Sequence, residues 1–242
     1  EVTVSKLLGR YKVDVELSKP KFAFRETIRR KVEAPGRYKK QSGGHGQFGD
    51  VKMSFEPSGD LETPYIFEEK VFGGAVPKNY FPAVEKGVQE CCTKGPLAGY
   101  PVVGIKATLL DGSYHPVDSS EMAFKMAATL AFKKGFMDAN PVLLEPIASV
   151  KVVVPDKFTG DVMGDLNRRR GRVLGMNSLH GGKQEIVADV PMSEMFGYNT
   201  DLRSMTGGIG VFSYEFSRYE QAPGDVQKKE VEARTAGGGV EA

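Results

Sequence analysis

The chain has 242 residues, of which 40% are hydrophobic, and its formal net charge is only +2. This composition is that of a folded globular protein, and no apolar run approaches the roughly 18 residues that a membrane span needs. The two cysteines, Cys91 and Cys92, are neighbours that rarely bridge each other, so we expect a reduced, cytoplasmic protein with no membrane partner. The small net charge does not by itself indicate a nucleic-acid binder.

The first twenty residues predict only the end of a helix, closed by Gly9, and one alternating strand over residues 11–17. One short helix and one strand cannot close a hydrophobic core. We therefore expect residues 1–20 to be the last part of a domain whose beginning is missing.

Residues 21–146 predict a first complete α+β unit. Asp118 and Glu121 have the spacing of a capping box, which predicts that Asp118 caps a helix ended by Gly135. Gly95 and Pro96 end an earlier helix. The expected strands are 22–32, 48–55, 65–70 and 102–110, and the expected helices are 78–94 and 118–135.

Residues 147–223 predict a second unit with the order β-α-β-β-α-β, which is the ferredoxin-like arrangement. Its expected strands are 148–154, 172–176, 184–190 and 209–216, and its expected helices are 160–170 and 193–206. Residues 224–242 are charged or glycine-rich and lack apolar anchors, so we expect a tail that is mobile unless it docks.

The most unusual stretch is a glycine-rich segment between two predicted strands of the first unit. Its glycines leave backbone amides uncovered, and the flanking lysines supply positive charge. Such a segment suits contact with RNA phosphates and 2′-hydroxyls, although a floppy hairpin loop fits the residues equally well. A P-loop does not fit, because no Gly-Lys-Ser or Gly-Lys-Thr occurs. The candidate RNA-binding residues here are Gln41, Ser42, Gly43, Gly44, His45, Gly46 and Gln47.

A second candidate loop precedes the helix that Asp118 is expected to cap. Tyr114 offers a stacking face and His115 two ring nitrogens, although both side chains could simply pack the strand end. The loop also contains Pro116 and Val117.

The expected end of the helix over residues 160–170 carries four arginines in five residues: Arg168, Arg169, Arg170 and Arg172. One cation suits a helix end, but four exceed that need, so contact with RNA phosphates is an open alternative. Histidine and cysteine spacing predicts no metal site, and we find no catalytic residues in this chain.

The chain resembles the C-terminal part of elongation factor G over nearly all residues to about 223. Six stretches carry the resemblance in chain order: FRETI at 24–28, KQSGG with Gly46 and Gln47 at 40–47, GPLAGYPV at 95–102, GSYH with VDSSE at 112–121, GDVMGDL with RRRG at 160–171, and SEMFGY at 193–198.

The resemblance implies that residues 1–20 end domain III, 21–146 form domain IV and 147–223 form domain V. Domain IV of this family has a left-handed βαβ crossover, mimics a tRNA anticodon arm and enters the decoding region of the small ribosomal subunit. The two loops would be its tips facing the codon–anticodon duplex, with His115 contacting the duplex backbone. Domain V would bring the arginines to large-subunit rRNA and the stalk base. The resemblance also implies a monomer whose full-length form binds GTP and Mg²⁺ through motifs absent here; this chain itself needs no cofactor.

Two residues depart from the family pattern. The family commonly has Arg or Thr in place of His45, and often Asp in place of Pro116. A ribosome-recycling or ribosome-protection paralogue therefore stays an alternative to the main translocase. A stand-alone RNA-binding module and a small-molecule kinase are the alternatives from other classes.

Overall fold

The computed structural model of this chain describes residues 2–11, 22–41 and 43–236. They fall into two compact units. The larger unit contains residues 23–146 and 218–236. The smaller unit contains residues 147–217, together with the described residues before residue 23. The prediction that Gly9 ends the first helix is wrong, because helix α1 (Val2–Tyr11) continues through Gly9. Apart from Tyr11, which belongs to α1, the predicted strand over 11–17 lies outside the described residues, as does the rest of the expected domain III segment.

The larger unit is built on a four-stranded sheet covered by two helices. The elements are β2 (Val32–Lys40), β3 (Gln47–Pro57), β4 (Tyr65–Glu69), α2 (Phe81–Thr93), β5 (Ile105–Ser113) and α3 (Glu121–Asp138). The sheet has the order β2-β3-β5-β4. β4 and β5 are parallel and joined through α2, whereas the other pairs are antiparallel. Helices α2 and α3 cover this sheet with one hydrophobic core.

The predicted strand over 22–32 is wrong as one element. It divides into β1 (Arg25–Ile28) and the start of β2, with a break after Ile28 where the amides of Arg29 and Arg30 donate to the Ala139 carbonyl. β1 pairs with residues 141–144 of β6 (Pro141–Pro155) and not with the β2–β3 hairpin.

Glycine and alanine allow α3 to lie unusually close to the sheet. A Cβ built on Gly36 of β2 would lie 2.0 Å from the Ala127 carbonyl oxygen of α3. A Cβ on Gly49 of β3 would lie 2.4 Å from the Ala123 carbonyl oxygen. Any side chain at either position would therefore push the helix away from the sheet.

The smaller unit has the predicted β-α-β-β-α-β order. The elements after β6 are α4 (Thr159–Arg168), β7 (Arg172–Leu179), β8 (Lys183–Pro191), α5 (Tyr198–Thr206) and β9 (Val211–Gln221). The sheet order is β9-β6-β8-β7. Residues 147–155 of β6 pair with β8, and two helices pack on the buried side of the sheet. The mixed α+β fold class is thus confirmed. The helix predicted over 193–206 is shorter because Gly197, at φ 75°, separates α5 from a 3₁₀ turn.

Residues 224–236, predicted to be a tail that is mobile unless docked, form helix α6 (Gly224–Ala236) in the larger unit. Gln227 Oε1 accepts the Leu143 N–H at 3.1 Å, and Glu230 accepts the hydrogen bond of the Tyr100 hydroxyl. The Arg234 guanidinium lies 4.1 Å from the centre of the Tyr100 ring. These contacts are polar or cation–π contacts, so the sequence contains no apolar anchors that would predict the docking.

Candidate nucleic-acid interface

Both candidate loops lie at one end of the four-stranded sheet. The first loop, residues 41–47, joins β2 to β3, whose last pair is Lys40 with Gln47. The second loop, residues 114–118, follows β5, and Ser113 at the end of β5 pairs with Asp50 of β3. Antiparallel pairing of β3 with both neighbours therefore brings the two loops to the same end of the sheet.

Asp118 and Ser119 fasten the two loops to each other, and we call this pair the clasp. Asp118 Oδ1 accepts the Gly46 N–H at 3.1 Å, and the Asp118 carbonyl accepts the Phe48 N–H at 2.8 Å. The Ser119 hydroxyl donates to the Phe48 carbonyl at 2.9 Å and accepts the His115 N–H at 2.9 Å. The clasp thus connects the second loop to Gly46 of the first loop and to Phe48 at the start of β3.

The predicted cap of α3 is wrong because Asp118 is used in the clasp. Ser120 is the N-cap residue, and its hydroxyl accepts the Ala123 N–H at 3.1 Å. Serine satisfies the first turn as well as aspartate does, so the sequence contained two equivalent caps two residues apart.

His115 is held by backbone donors on one side of its ring. Its Nδ1 accepts the N–H groups of Val117 at 3.3 Å and Asp118 at 3.1 Å. With Nδ1 accepting, Nε2 is the ring nitrogen that is left to donate. The side chain is 53% exposed. His115 therefore offers an outward Nε2–H donor, which suits a phosphate oxygen or a 2′-hydroxyl.

The rest of the two loops is open to solvent. Gly43 and Gly44 have φ of 43° and 147°, and no atom lies within 4 Å of a Cβ built on either. The two glycines, Gln41, His45, Tyr114, Pro116 and Val117 are exposed, Gly46 and Gln47 are half-buried, and Ser42 lies outside the described residues. Backbone amides, amide side chains and one aromatic ring are thus displayed together with His115.

The arginine cluster of the smaller unit is only partly available to a ligand. Arg169 is 11% exposed and donates to the Glu194 carbonyl at 2.6 Å and the Phe196 carbonyl at 3.2 Å. It also pairs with Asp165 at 2.9 Å and with Asp201. Arg169 therefore has a structural role, because it connects the end of α4 to the turn before α5.

Arg168 and Arg172 are the exposed members of the cluster, at 78% and 71%. Each also pairs with a carboxylate, Arg168 with Asp165 and Arg172 with Asp189 at 3.4 Å. Arg170 is less exposed and lies 3.2 Å from Glu194. The sequence pattern missed these carboxylates because three of the four are more than fifteen residues away from the arginines they bind.

The buried carboxylate of Asp165 depends on these cations. Burial alone would raise the pKa of Asp165, but the hydrogen bonds and charges of Arg168 and Arg169 together hold that pKa below its usual range. Asp165 is thus charged in the folded protein and anchors the arginines on one side of α4.

Other kinds of site are not found within the described ranges. None of the helices there is long and apolar enough to cross a membrane. No group of three or more histidine, cysteine, aspartate or glutamate side chains could hold a metal ion in the same part of the chain.

Comparison with known proteins finds a family match for each of the two units. The family described as "Elongation factor G, domain IV" matches residues 20–140, and "Elongation factor G C-terminus" matches residues 142–230. The chain belongs to the elongation factor G family. A crystal structure of a protein from Thermus thermophilus is 46% identical, with a TM-score of 0.82 over 97% of this chain. This chain spans only 35% of the length of that protein.

Membership in the elongation factor G family confirms the resemblance that the six sequence stretches predicted. It also agrees with the mixed α+β fold of the two units. The clasp was not predicted, because Asp118 and Gly46 are 72 residues apart in the sequence.

Proposed function

We propose that this chain is the C-terminal part of a translation elongation factor that engages the ribosome during translocation of tRNA and mRNA. The larger unit acts as domain IV and contacts the codon–anticodon duplex in the decoding region with both loops. The smaller unit acts as domain V and contacts large-subunit rRNA and the stalk base. GTP and Mg²⁺ are assigned to the remainder of the full-length, monomeric, cytoplasmic protein.

The clasp is the observation that supports this proposal best. It holds together two loops that display hydrogen-bond donors, and Lys39 and Lys40, at the end of β2 beside the first loop, are exposed. A preorganised pair of loops loses little conformational freedom when it binds a duplex, so its contacts contribute fully to holding that duplex. For domain V, the exposed Arg168 and Arg172 are the members of the cluster best suited to phosphate contact.

The test is the His115→Ala variant of the full-length protein. We expect translocation to slow by about tenfold, the value of one good hydrogen bond to a charged group, with little change in GTP hydrolysis. His180→Ala is the matched control, because His180 is exposed in the β7–β8 turn of the smaller unit. Translocation at the original rate in the His115 variant would contradict the assignment.

The ribosome-recycling or ribosome-protection paralogue is the alternative with a specific observation in its favour. His45 and Pro116 depart from the residues common in the family, and both are exposed in the candidate loops. A translocation assay beside a subunit-splitting assay on the full-length protein separates the two roles. Splitting without translocation would favour the recycling paralogue.

A further inference from the structure

A third loop, residues 70–77, lies between β4 and α2 at the same end of the larger unit. The Lys70 N–H donates to the Leu109 carbonyl at 2.8 Å. A Cβ built on Gly112 would lie 2.7 Å from a methyl group of Val76. Just beyond the loop, the Tyr80 hydroxyl donates to the Ser119 carbonyl at 3.2 Å. Leu109, Gly112 and Ser119 flank Tyr114 and His115 in the sequence, so the third loop is fastened beside the second.

The apex of the third loop displays an aromatic ring and bare backbone. Phe72 is 93% exposed, the highest value among the large hydrophobic residues that the structure describes. Gly73 and Gly74 follow at φ 68° and 70°, and no atom lies within 4 Å of a Cβ built on either. Val76, by contrast, is 1% exposed and belongs to the core of the unit. The loop is therefore anchored at its base while its apex faces outward.

A lysine lies on each side of this apex along the chain. Lys70 and Lys78 are both exposed, and the contact from Lys70 to Glu68 is long, at 3.9 Å. Three carboxylates at this end are engaged in hydrogen bonds within the unit: Asp118 with the Gly46 N–H, Asp50 with the Ser113 hydroxyl at 2.6 Å, and Asp111 with the Gly112 N–H at 2.8 Å. Lys70 in the third loop and Lys78 directly after it are thus open to contact with a polyanion, as are Lys39 and Lys40 at the end of β2.

An exposed aromatic ring between lysines, beside uncovered glycine amides, is the combination that binds unpaired nucleotides. The ring stacks on a base, and the cations and amides meet the phosphate that follows it. We propose that the third loop is an RNA-contacting site in which Phe72 stacks on an unpaired base and Lys70 and Lys78 bind its backbone. This inference rests on the proposed function, because it assumes that this end of the unit meets ribosome-bound RNA.

The test measures binding of the 242-residue chain to ribosomes that carry mRNA and tRNA, with chemical modification of RNA bases as a second readout. Phe72→Ala should weaken binding by about tenfold, within the range for one stacked base, and expose one base to modification. Phe72→Tyr should bind like the original chain because the ring is kept. Phe72→Leu should behave like Phe72→Ala because leucine has no aromatic face.

Met137→Ala is the matched control, because Met137 is also exposed and apolar but lies near the other end of α3, far from the clasp. Phe72 and Met137 are both exposed, so circular dichroism should show that all variants are folded.

If the original chain binds and Phe72→Ala binds equally well, the third-loop site is wrong and the proposed function stands. If Phe72→Leu keeps full binding, the contact is with an apolar protein surface and the RNA site is overturned. If the original chain protects no RNA base, both proposals fail.

Discussion

Asp118 and Gly46 are joined across 72 residues of sequence, with the Gly46 N–H donating to Asp118 Oδ1 at 3.1 Å. The same residue accepts the Phe48 N–H through its backbone carbonyl. One aspartate therefore controls the position of the first loop through its side chain and the start of β3 through its main chain. The two contacts can be separated by mutation.

Asp118→Ala should release the first loop without unfolding the larger unit. Only the side-chain contact is lost, so the expected destabilisation is about 1 kcal/mol. Hydrogen exchange should accelerate at the Gly46 amide and stay slow at the Phe48 amide. Asp118→Asn is the control, because its amide oxygen can still accept the Gly46 N–H. Equal exchange at Gly46 in the alanine variant and the original chain would show that this contact is unimportant.

Gly36→Ala should strongly destabilise the larger unit. The added Cβ would lie 2.0 Å from the Ala127 carbonyl oxygen and 2.7 Å from the Ala131 nitrogen. These are backbone atoms of α3 that cannot rotate away, so we expect the free energy of unfolding, measured in urea, to fall by about 3 kcal/mol. Gly224→Ala is the control, since no atom lies within 4 Å of its Cβ position. A change of less than about 1 kcal/mol for Gly36→Ala would contradict the close packing of α3.

Arg169→Ala should destabilise the smaller unit far more than Arg168→Ala. Removing Arg169 leaves the buried Asp165 carboxylate without the less exposed of its two arginine partners. We therefore expect the free energy of unfolding to fall by about 3 kcal/mol. Arg168 is largely exposed, and its removal should change the free energy of unfolding little. Ribosome binding should show the reverse order among variants that stay folded. A similar loss of stability from both substitutions would refute the structural role of Arg169.

The same ion pairs predict how the stability of the smaller unit depends on pH. The pKa of Asp165 is lower in the folded protein than its ordinary value of 3.8. Its contribution to stability is therefore complete above the unfolded pKa and is lost as the pH falls through the folded pKa. Urea unfolding from neutral pH down to about pH 3 should show this loss in the original chain. The loss should be smaller in Arg169→Ala, and an unchanged pH profile in that variant would contradict the assignment.

Tyr100→Phe should loosen α6 from the larger unit. Burial, with the hydrogen bond to Glu230, raises the pKa of Tyr100 to about 12, so the hydroxyl is a donor at neutral pH. Removing it leaves Arg234 on the ring but breaks the contact with Glu230, and we expect amide exchange in α6 to accelerate about fivefold. Tyr114→Phe is the control, because Tyr114 is exposed in the second loop. Unchanged exchange in α6 would show that its docking does not depend on this hydroxyl.

The sequence predicted the strand and helix order of the smaller unit because its apolar positions alternate and glycines follow its helices, Gly171 after α4 and Gly207 after α5. It misplaced β2 because Pro35 and Gly36 interrupt a strand pattern. Both are tolerated there, since β2 is an edge strand and Gly36 faces α3. The docked α6 was missed because its contacts use Gln227 and Glu230, and polar contacts leave no hydrophobic period to find.

The two candidate loops were recognised from their glycines, Tyr114 and His115. Their mutual attachment was not, because a hydrogen bond between residues so distant in the chain has no local signature. Likewise, four clustered arginines look alike in a sequence. Only their burial and partners separate Arg169, which holds the smaller unit together, from Arg168, which faces solvent.

The order of the two units along the chain affects the timing of folding during synthesis. Residues 147–217 separate the two parts of the larger unit, and α6 belongs to the second part. At ordinary rates of elongation the ribosome needs on the order of ten seconds to make that intervening stretch. Throughout this interval the Tyr100 hydroxyl and the Leu143 amide lack their hydrogen-bond acceptors, Glu230 and Gln227 of α6. A nascent chain released after residue 217 would carry both loops and the arginine cluster, yet its larger unit would stay unfinished.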